Sequence, residues 1–240
     1  MNRFTMHKNG IIADKKAYEQ LHTAERASLL LLSDTHGAVD AVRWIFTAVH
    51  DTCDACLFSG DGAEDIIGLA EQAASGADGC PSVPPVLIFA QGNCDCERYR
   101  FMKTGGEPER ASSFQIPPYQ HIEIAHQRIL LTHGHLCRVE FDIDRLQRIA
   151  ESSKCAIAIH GHTHIQAVDF LRSVTVINGG SPIRPRGKSH GGFAVITIDN
   201  EAQSGELFFY KLTKTADGSF SASVTATYEL PLGGKQEQTE

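Results

Sequence analysis

Apolar residues occur along the chain in short runs that alternate with amphipathic stretches. Leu29–Leu32 and Val86–Ala90 are continuous apolar runs of the kind found in buried strands. From Ala38 to His50 apolar residues return every three or four positions, which predicts a helix with one buried face. The first half of the chain therefore has the alternation of strands and helices that is typical of an α/β protein.

The same patterns predict the remaining elements. Residues 1–27 are predicted to form a polar extension that is helical around Lys15–Ala24, and residues 97–118, rich in glycine and proline, a surface loop. Further helices are predicted at Ala63–Ala74 and Phe141–Ala150, and further strands at Ala55–Phe58, His121–Ala125, Arg128–Thr132, Cys155–Ile159, Ala167–Leu171, Val174–Ile177, Phe193–Ile198, Leu207–Leu212 and Ser221–Tyr228. We expect one domain over residues 28–232, a two-sheet sandwich with helices outside, followed by a polar tail at 233–240.

The composition agrees with a single large domain. The chain has 240 residues, of which 42% are hydrophobic and 21% charged, so it is neither disordered nor fibrous. Its net charge of −7 argues against general binding to nucleic acids or anionic membranes. Its apolar runs are far shorter than the ~20 residues that a membrane-spanning helix needs. The chain has seven cysteines, and this odd number in a long chain is typical of a protein whose thiols stay reduced. We therefore expect a soluble, cytoplasmic protein.

Five predicted strands each run into a segment that contains glycine and side chains able to bind a metal. These segments are Ser33-Asp34-Thr35-His36-Gly37, Ser59-Gly60-Asp61-Gly62, Gln91-Gly92-Asn93-Cys94-Asp95, Thr132-His133-Gly134-His135 and His160-Gly161-His162-Thr163-His164. Each alone has a simpler explanation, because Asp34 could cap a helix and Asn93 could be a turn residue. Ligands of α/β proteins bind beyond the carboxyl ends of strands, so the five together predict a metal site.

The predicted donors combine three oxygen ligands with four imidazoles. They are Asp34, His36, Asp61, Asn93, His133, His162 and His164. Seven donors are too many for one tetrahedral ion and suit two divalent ions of moderate softness. We expect Mn²⁺, with Fe, Zn²⁺, Ni²⁺ and Co²⁺ as alternatives, because Mg²⁺ or Ca²⁺ alone would prefer oxygen ligands throughout.

The five segments contain, in order, the motifs SDTHG, SGDG, GNCD, THGH and GHTH, and Asn178-Gly179-Gly180-Ser181 follows them. This series resembles the motifs of the calcineurin-like metallophosphoesterases, in particular their small YfcE-type phosphodiesterase branch. The resemblance covers about residues 28–200 and implies a four-layer αββα sandwich with two mixed β-sheets. It implies that one metal is held by Asp34, His36 and His164. It implies a second metal held by Asn93, His133 and His162, with Asp61 bridging the two ions.

The chain departs from the wider family at three places, and one is that residues 1–27 lie outside the family core. Cys94 stands, as in the YfcE-type branch, where many other relatives have a histidine that assists the leaving group, and a thiol with its usual pKa of about 8.5 is a poorer acid than histidinium. We therefore expect good leaving groups, or proton donation by His135 or a water bound to the substrate. The branch usually has Asn-Pro-Gly-Ser where this chain has Asn-Gly-Gly-Ser at 178–181, which loosens that loop. The catalytic candidates are Asp61, Asn93 and His135, and the substrate-binding candidates are Cys94 and Arg184.

Two divalent ions, two carboxylates and a bridging hydroxide leave a charge of about +1, which attracts a phosphodiester anion. We therefore expect hydrolysis of small phosphodiesters by direct in-line attack of a metal-bridging hydroxide, without a phosphoenzyme. The same ligands would serve a phosphomonoesterase. A non-catalytic scaffold for protein assembly, as in one retromer subunit of this fold, is a further alternative that the complete donor set disfavours. Association into homo-oligomers is compatible with the sequence.

Overall fold

The computed structural model describes residues 4–102 and 111–232, which contain fifteen strands and four helices. The helices are α1 (Lys15–Thr23), α2 (Val39–Val49), α3 (Ala63–Ser75) and α4 (Asp144–Ser152). The strands are β1 (Met6–Lys8), β2 (Ile11–Ala13), β3 (Arg26–Leu32), β4 (Ala55–Phe58), β5 (Val86–Phe89), β6 (Arg98–Met102), β7 (Ala111–Gln115), β8 (Tyr119–Ile124), β9 (Gln127–Thr132), β10 (Ile157–His160), β11 (Gln166–Phe170), β12 (Thr175–Gly179), β13 (Gly192–Asp199), β14 (Ser204–Lys214) and β15 (Phe220–Pro231).

Thirteen of these strands form two mixed sheets. The larger sheet has the order β1-β2-β5-β4-β3-β13-β14-β15, and its central strands β3, β4 and β5 are parallel. The smaller sheet has the order β11-β12-β10-β9-β8, with β9, β10 and β12 parallel. Parallel strands end at the same edge of a sheet, so the loops that follow them are brought together.

The two sheets pack face to face between layers of helices. Leu29 and Leu31 of β3 are buried with Ile159 of β10 in the core between the sheets. The alternate residue Leu30 faces the opposite way, toward the buried faces of α2 and α3, as the two-residue period of a strand requires. Leu146 of α4 is buried against the other face of the smaller sheet. This order of layers confirms the predicted αββα sandwich.

Residues 4–27 extend the edge of the larger sheet. β2 pairs with β5 in antiparallel register, and β1 pairs with β2. The predicted helix is confirmed as α1, whose first turn is capped by the Asp14 side chain accepting from the Ala17 amide at 3.0 Å. The two strands were not predicted, because three residues are too few to show a period. The boundary between extension and domain at residue 27 stays a prediction.

The prediction of a surface loop over 97–118 is wrong in part. β6 and β7 form an antiparallel hairpin, and their side chains Tyr99, Phe101 and Phe114 are buried. The Phe114 ring lies 6.3 Å from that of Phe89, so aromatic packing joins this hairpin to the larger sheet. The predicted turn residues at 105–108, like the predicted tail at 233–240, lie outside the described residues.

The other predicted helices and strands are confirmed with bounds shifted by a few residues. α4 begins at Asp144 rather than at Phe141, whose side chain is exposed, and β3, β14 and β15 extend as far beyond their predicted bounds. All seven cysteines lie within the described ranges and have free thiols. Across the described residues, no helix combines the length and apolar character needed to span a membrane.

Candidate metal centre

The loops that follow β3, β4, β5, β9 and β10 meet at one edge of the sandwich and carry the predicted donors. Five donors have a left-handed backbone, with φ between 43° and 67°: Asp34, His36, Asp61, His162 and His164. This conformation is unfavourable for residues other than glycine, and such strain, about 1–3 kcal/mol per residue, concentrates at functional sites. The fold therefore holds these side chains in positions that local preference would not choose.

One group of donors consists of Asp34, His36 and His164. The Nε2 atom of His164 lies 3.1 Å from Asp34 Oδ1, and the Nε2 atom of His36 lies 3.9 Å from the same oxygen. The two imidazole Nε2 atoms are 3.3 Å apart. One potential ligand atom from each residue thus lies within 4.8 Å of the others, close enough to share one ion.

A second group forms around His133. Its Nε2 atom lies 3.1 Å from Asn93 Oδ1 and 3.5 Å from Asp61 Oδ2. The same Asp61 oxygen lies 3.9 Å from the Nε2 atom of His36, which belongs to the first group. Asp61 therefore lies between the two groups, where a bridging carboxylate would be.

His162 lies beside the second group but is turned toward another partner. Its ring centre is 5.1 Å from that of His133, whereas its Nε2 atom lies 3.6 Å from Glu140 Oε2. The structure thus links six of the seven predicted donors through successive contacts and places His162 at the margin. Glu140 was not predicted to take part in the site.

Backbone carbonyls fix which nitrogen of two imidazoles faces the centre. The Nδ1 atom of His133 lies 2.7 Å from the Ser59 carbonyl oxygen, and that of His164 lies 2.6 Å from the Arg184 carbonyl oxygen. A carbonyl only accepts hydrogen bonds, so both Nδ1 atoms carry the proton. The Nε2 lone pairs are left free for a metal, which is the usual arrangement behind a histidine ligand.

In the buried carboxylate of Asp34, one oxygen accepts hydrogen bonds and the other has no donor. Its Oδ2 atom accepts hydrogen bonds from the Ser33 hydroxyl at 2.5 Å and the His162 amide at 3.0 Å. Its Oδ1 atom is buried and, when His164 carries its only proton on Nδ1, faces the Nε2 lone pair of His164 at 3.1 Å and has no hydrogen-bond donor within the described part of the chain. Because an unsatisfied buried carboxylate oxygen is unfavourable, this atom fits a role as a cation ligand.

The protonation states also suit metal binding. Burial raises the pKa of Asp34, but the contact with His164 and the proximity of His133 outweigh it and hold that pKa below its usual value. Burial lowers the pKa of His36 and His162, so both imidazoles are neutral at pH 7. His164 differs, because contact with Asp34 raises its pKa and a metal ion must compete with a proton there. The carboxylate and neutral imidazoles are the forms that bind divalent ions.

His160 lies behind the site and is fully enclosed. Burial lowers its pKa to about 4, and its Nδ1 atom lies 2.9 Å from the Gly161 carbonyl oxygen. The Asn178 side-chain amide donates to the same carbonyl at 2.9 Å and accepts from the Gly180 amide at 2.8 Å. This network anchors the loop between the histidines and the strand end at residue 178, even though Gly179 replaces the proline that is usual there.

Asp95 organises the site although sequence reasoning did not single it out. Its Oδ2 atom accepts from the backbone amides of Asp61 (2.8 Å) and Gly92 (2.9 Å), and its Oδ1 atom accepts from those of Gly62 and Ala63, both at 2.9 Å. One carboxylate thus holds the loops after β4 and β5 and caps the start of α3. The only sequence signal was its place at the end of the GNCD motif.

The remaining predicted residues lie around the rim. The ring centre of His135 is 5.3 Å from that of His133, and partial burial lowers its pKa. Cys94 is exposed at the surface, and its Sγ atom accepts a hydrogen bond from the side-chain amide of Asn93 at 3.2 Å. Desolvation and the nearby Asp61 raise the pKa of its thiol to about 11. Arg184 contacts the site through its carbonyl oxygen, and its side chain is exposed.

Comparisons with known sequences find relatives of one kind. The probable metallophosphoesterase YsnB of Bacillus subtilis is 24% identical over 178 residues, which cover 73% of this chain and 86% of YsnB. The phosphodiesterase YfcE of Escherichia coli K12 is 24% identical over 191 residues, covering 73% of this chain and 89% of YfcE.

Solved structures share the fold. A predicted phosphoesterase from Streptococcus pneumoniae superposes with a TM-score of 0.56 at 22% identity, covering 83% of this chain and 98% of that protein. Vacuolar Protein Sorting 29 from Cryptosporidium parvum superposes with a TM-score of 0.61 at 18% identity, covering 85% and 98%. At these identities the likeness shows the fold alone. The sequence pattern described as the calcineurin-like phosphoesterase superfamily domain matches residues 28–201, most of the chain, and the protein therefore belongs to the calcineurin-like phosphoesterase superfamily.

Proposed function

We propose that the protein is a metal-dependent phosphodiesterase that hydrolyses small phosphodiesters. The observation that carries this proposal is the position of Asp61 Oδ2, which lies 3.9 Å from His36 of one donor group and 3.5 Å from His133 of the other. A carboxylate between two sets of imidazoles is the arrangement expected for a pair of ions. The phosphodiesterase YfcE, a relative at 24% identity, supports the same substrate class.

The donor set fits two divalent ions, with Mn²⁺ the first expectation. Asp34, His36 and His164 would hold one, and Asn93, His133 and His162 the other, with Asp61 shared. When bound, the ions would supply an activated water as the nucleophile and neutralise charge on the phosphate, which suits direct hydrolysis without a phosphoenzyme. The chain itself orients the imidazoles, through the carbonyls of residues 59 and 184, and keeps one oxygen of Asp34 free.

Proton donors near the centre are weak, and this limits the substrates. The thiol of Cys94, with its pKa at about 11, gives up a proton reluctantly. The pKa of His135 lies below its usual value, so its imidazole is neutral at pH 7. Esters whose leaving group needs little protonation are therefore the preferred substrates, and His135 or a substrate-bound water is the candidate acid for the others.

The test measures hydrolysis of bis-p-nitrophenyl phosphate and p-nitrophenyl phosphate by protein loaded with Mn²⁺. We expect kcat/KM to be at least about tenfold higher for the diester. Asp61→Asn should lower it by about 10³-fold, because losing a shared ion removes several kcal/mol of transition-state stabilisation. Asp51→Asn is the matched control, since that carboxylate is 86% exposed and lies after the end of α2, outside the five loops that carry the donors.

Three results would contradict the proposal in different ways. A higher kcat/KM on p-nitrophenyl phosphate would make the protein a phosphomonoesterase. Full occupancy by two ions without turnover of either ester would favour the scaffold alternative. Unchanged turnover in Asp61→Asn would remove that residue from the reaction.

A further inference from the structure

A pocket of about 520 Å³ opens beside the candidate metal centre. Its walls are the start of α2, residues 182–191, and the hairpin of β14 and β15. Pockets of about 300–1,000 Å³ are the usual size for small organic ligands. No predicted metal ligand or catalytic candidate lines it, so the donor groups described above do not account for it.

Two walls of this pocket continue the segments that hold Asp34, His36 and His164. Gly37 directly follows His36, and no described atom outside its chain neighbours lies within 4 Å of the place where its Cβ would be. On the other wall, the Ser181 hydroxyl donates to the Asp34 carbonyl at 2.7 Å, and Pro182 follows it into the pocket lining. Ile183 and Pro185 flank residue 184, whose carbonyl accepts from His164. The pocket therefore lies on the side of the first donor group.

The lining mixes apolar side chains with polar groups and carries no surplus of charge. Ala41 and Leu212 are buried at its base, Phe220 is half-buried, and Ile183 is 45% exposed. Among the described lining residues, the charged ones are Asp40 and Lys214, which have opposite signs. Lys214 places its ammonium 5.9 Å from the centre of the Phe220 ring. An anionic group in this pocket would meet no excess of positive charge, whereas an uncharged ring would meet the apolar side chains of Ile183 and Leu212 and the Phe220 ring.

We propose that this pocket receives an uncharged, ring-bearing alcohol arm of the phosphodiester, such as a phenyl or nucleoside group. The proposal rests on the proposed function, because it takes the phosphate to lie at the donor groups. With the phosphate there, one ester arm extends past His36 into the pocket, and the other is free to leave. The pocket thereby favours diesters with a bulky neutral arm over diesters with a small arm and over monoesters.

The first experiment varies the arm and keeps the leaving group constant. The substrates are methyl, phenyl and thymidine-5′ p-nitrophenyl phosphates, hydrolysed by the Mn²⁺-loaded wild-type protein. We expect kcat/KM for the phenyl and thymidine esters to exceed that of the methyl ester by about tenfold or more, the scale on which apolar pockets discriminate.

A second experiment changes the pocket. In Ile183→Ser the ratio of kcat/KM between the phenyl and methyl esters should fall by about fivefold, because apolar surface is removed from the wall. Val224→Ser is the matched control: Val224 is also an exposed, β-branched residue, lies outside the pocket, and should leave the ratio unchanged. Titration calorimetry with diphenylphosphinate and dimethylphosphinate, which cannot be hydrolysed, should show the same loss of selectivity in Kd.

The outcomes separate the two proposals. If none of the three esters is hydrolysed by protein that holds its metals, the proposed function fails and the pocket proposal fails with it. If all three are hydrolysed with equal kcat/KM, the phosphodiesterase stands and the pocket proposal is overturned. The pocket proposal is also overturned if Ile183→Ser lowers kcat/KM for the methyl and phenyl esters by the same factor.

Discussion

Replacement of Asp95 by asparagine tests how the two loops of the metal centre are held. In the wild-type protein each carboxylate oxygen accepts two backbone amides, so that four N–H groups converge on this one side chain. Asparagine keeps one acceptor oxygen but turns an NH₂ group toward the other pair of N–H groups. Two hydrogen bonds are then lost and replaced by opposed donors.

The expected loss of stability follows from those two bonds. A hydrogen bond to a charged group contributes about 1.5–3 kcal/mol, and because Asp95 is half-buried we take the lower end for each. The free energy of unfolding should therefore fall by about 3 kcal/mol, and Tm by about 6–12 °C. The affinity for metal should fall by about 10–100-fold, since Asp61 loses the partner of its amide.

Urea unfolding of the metal-free protein measures the first effect, and calorimetric titration with Mn²⁺ the second. Asp78→Asn, which makes the same change at an exposed position after α3, is the control and should change the free energy of unfolding by less than about 0.5 kcal/mol. If Asp95→Asn were as stable as this control and bound Mn²⁺ as the wild type does, the four amide contacts would not hold the loops.

Three further predictions concern other parts of the site. Gly92→Ala places a Cβ 2.1 Å from Asp61 Oδ1 and should lower both the metal affinity and the free energy of unfolding, the latter by about 1–3 kcal/mol. The control Gly68→Ala, in a helix with no described atom near its Cβ, should lower neither. Equal stability and metal affinity in both variants would show that the Asp61 loop moves freely. His135→Ala should reduce kcat more for an alkyl than for a p-nitrophenyl leaving group, and equal losses would exclude it as the acid. Burial lowers the pKa of His160 to about 4, so as the pH falls the unfolded chain binds a proton there before the folded protein does, and stability that is present above about pH 6.5 is lost toward pH 4. In His160→Gln the decrease in the free energy of unfolding between pH 7 and pH 5 should therefore shrink by about 2 kcal/mol. An unchanged decrease would show that His160 is not held neutral.

The sequence could reveal the donors because each stands within four residues of the end of a buried strand. Asp34 follows the apolar run of β3 and His133 that of β9, so their convergence follows from parallel pairing alone. The αββα layers follow from the same alternation of apolar runs and amphipathic helices. What could be predicted was therefore set by local patterns of hydrophobicity.

Other features depend on contacts between distant segments and had no local signal. Asp95 acts on amides more than thirty residues away, and Glu140 meets His162 only because the fold brings the two together. The hairpin of β6 and β7 was hidden by glycine and proline nearby, and it is the burial of Phe101 and Phe114 that shows it to be part of the sheet layer. The pocket beside the centre is built from three separate segments and cannot be read from any one of them.

The most direct test of the two-metal centre is the anomalous diffraction of crystals grown with Mn²⁺. We predict two anomalous peaks about 3.5–4 Å apart, one beside His36 and His164, the other beside Asn93 and His133, with Asp61 contacting both. A single peak, or two peaks of which only one contacts Asp61, would contradict it.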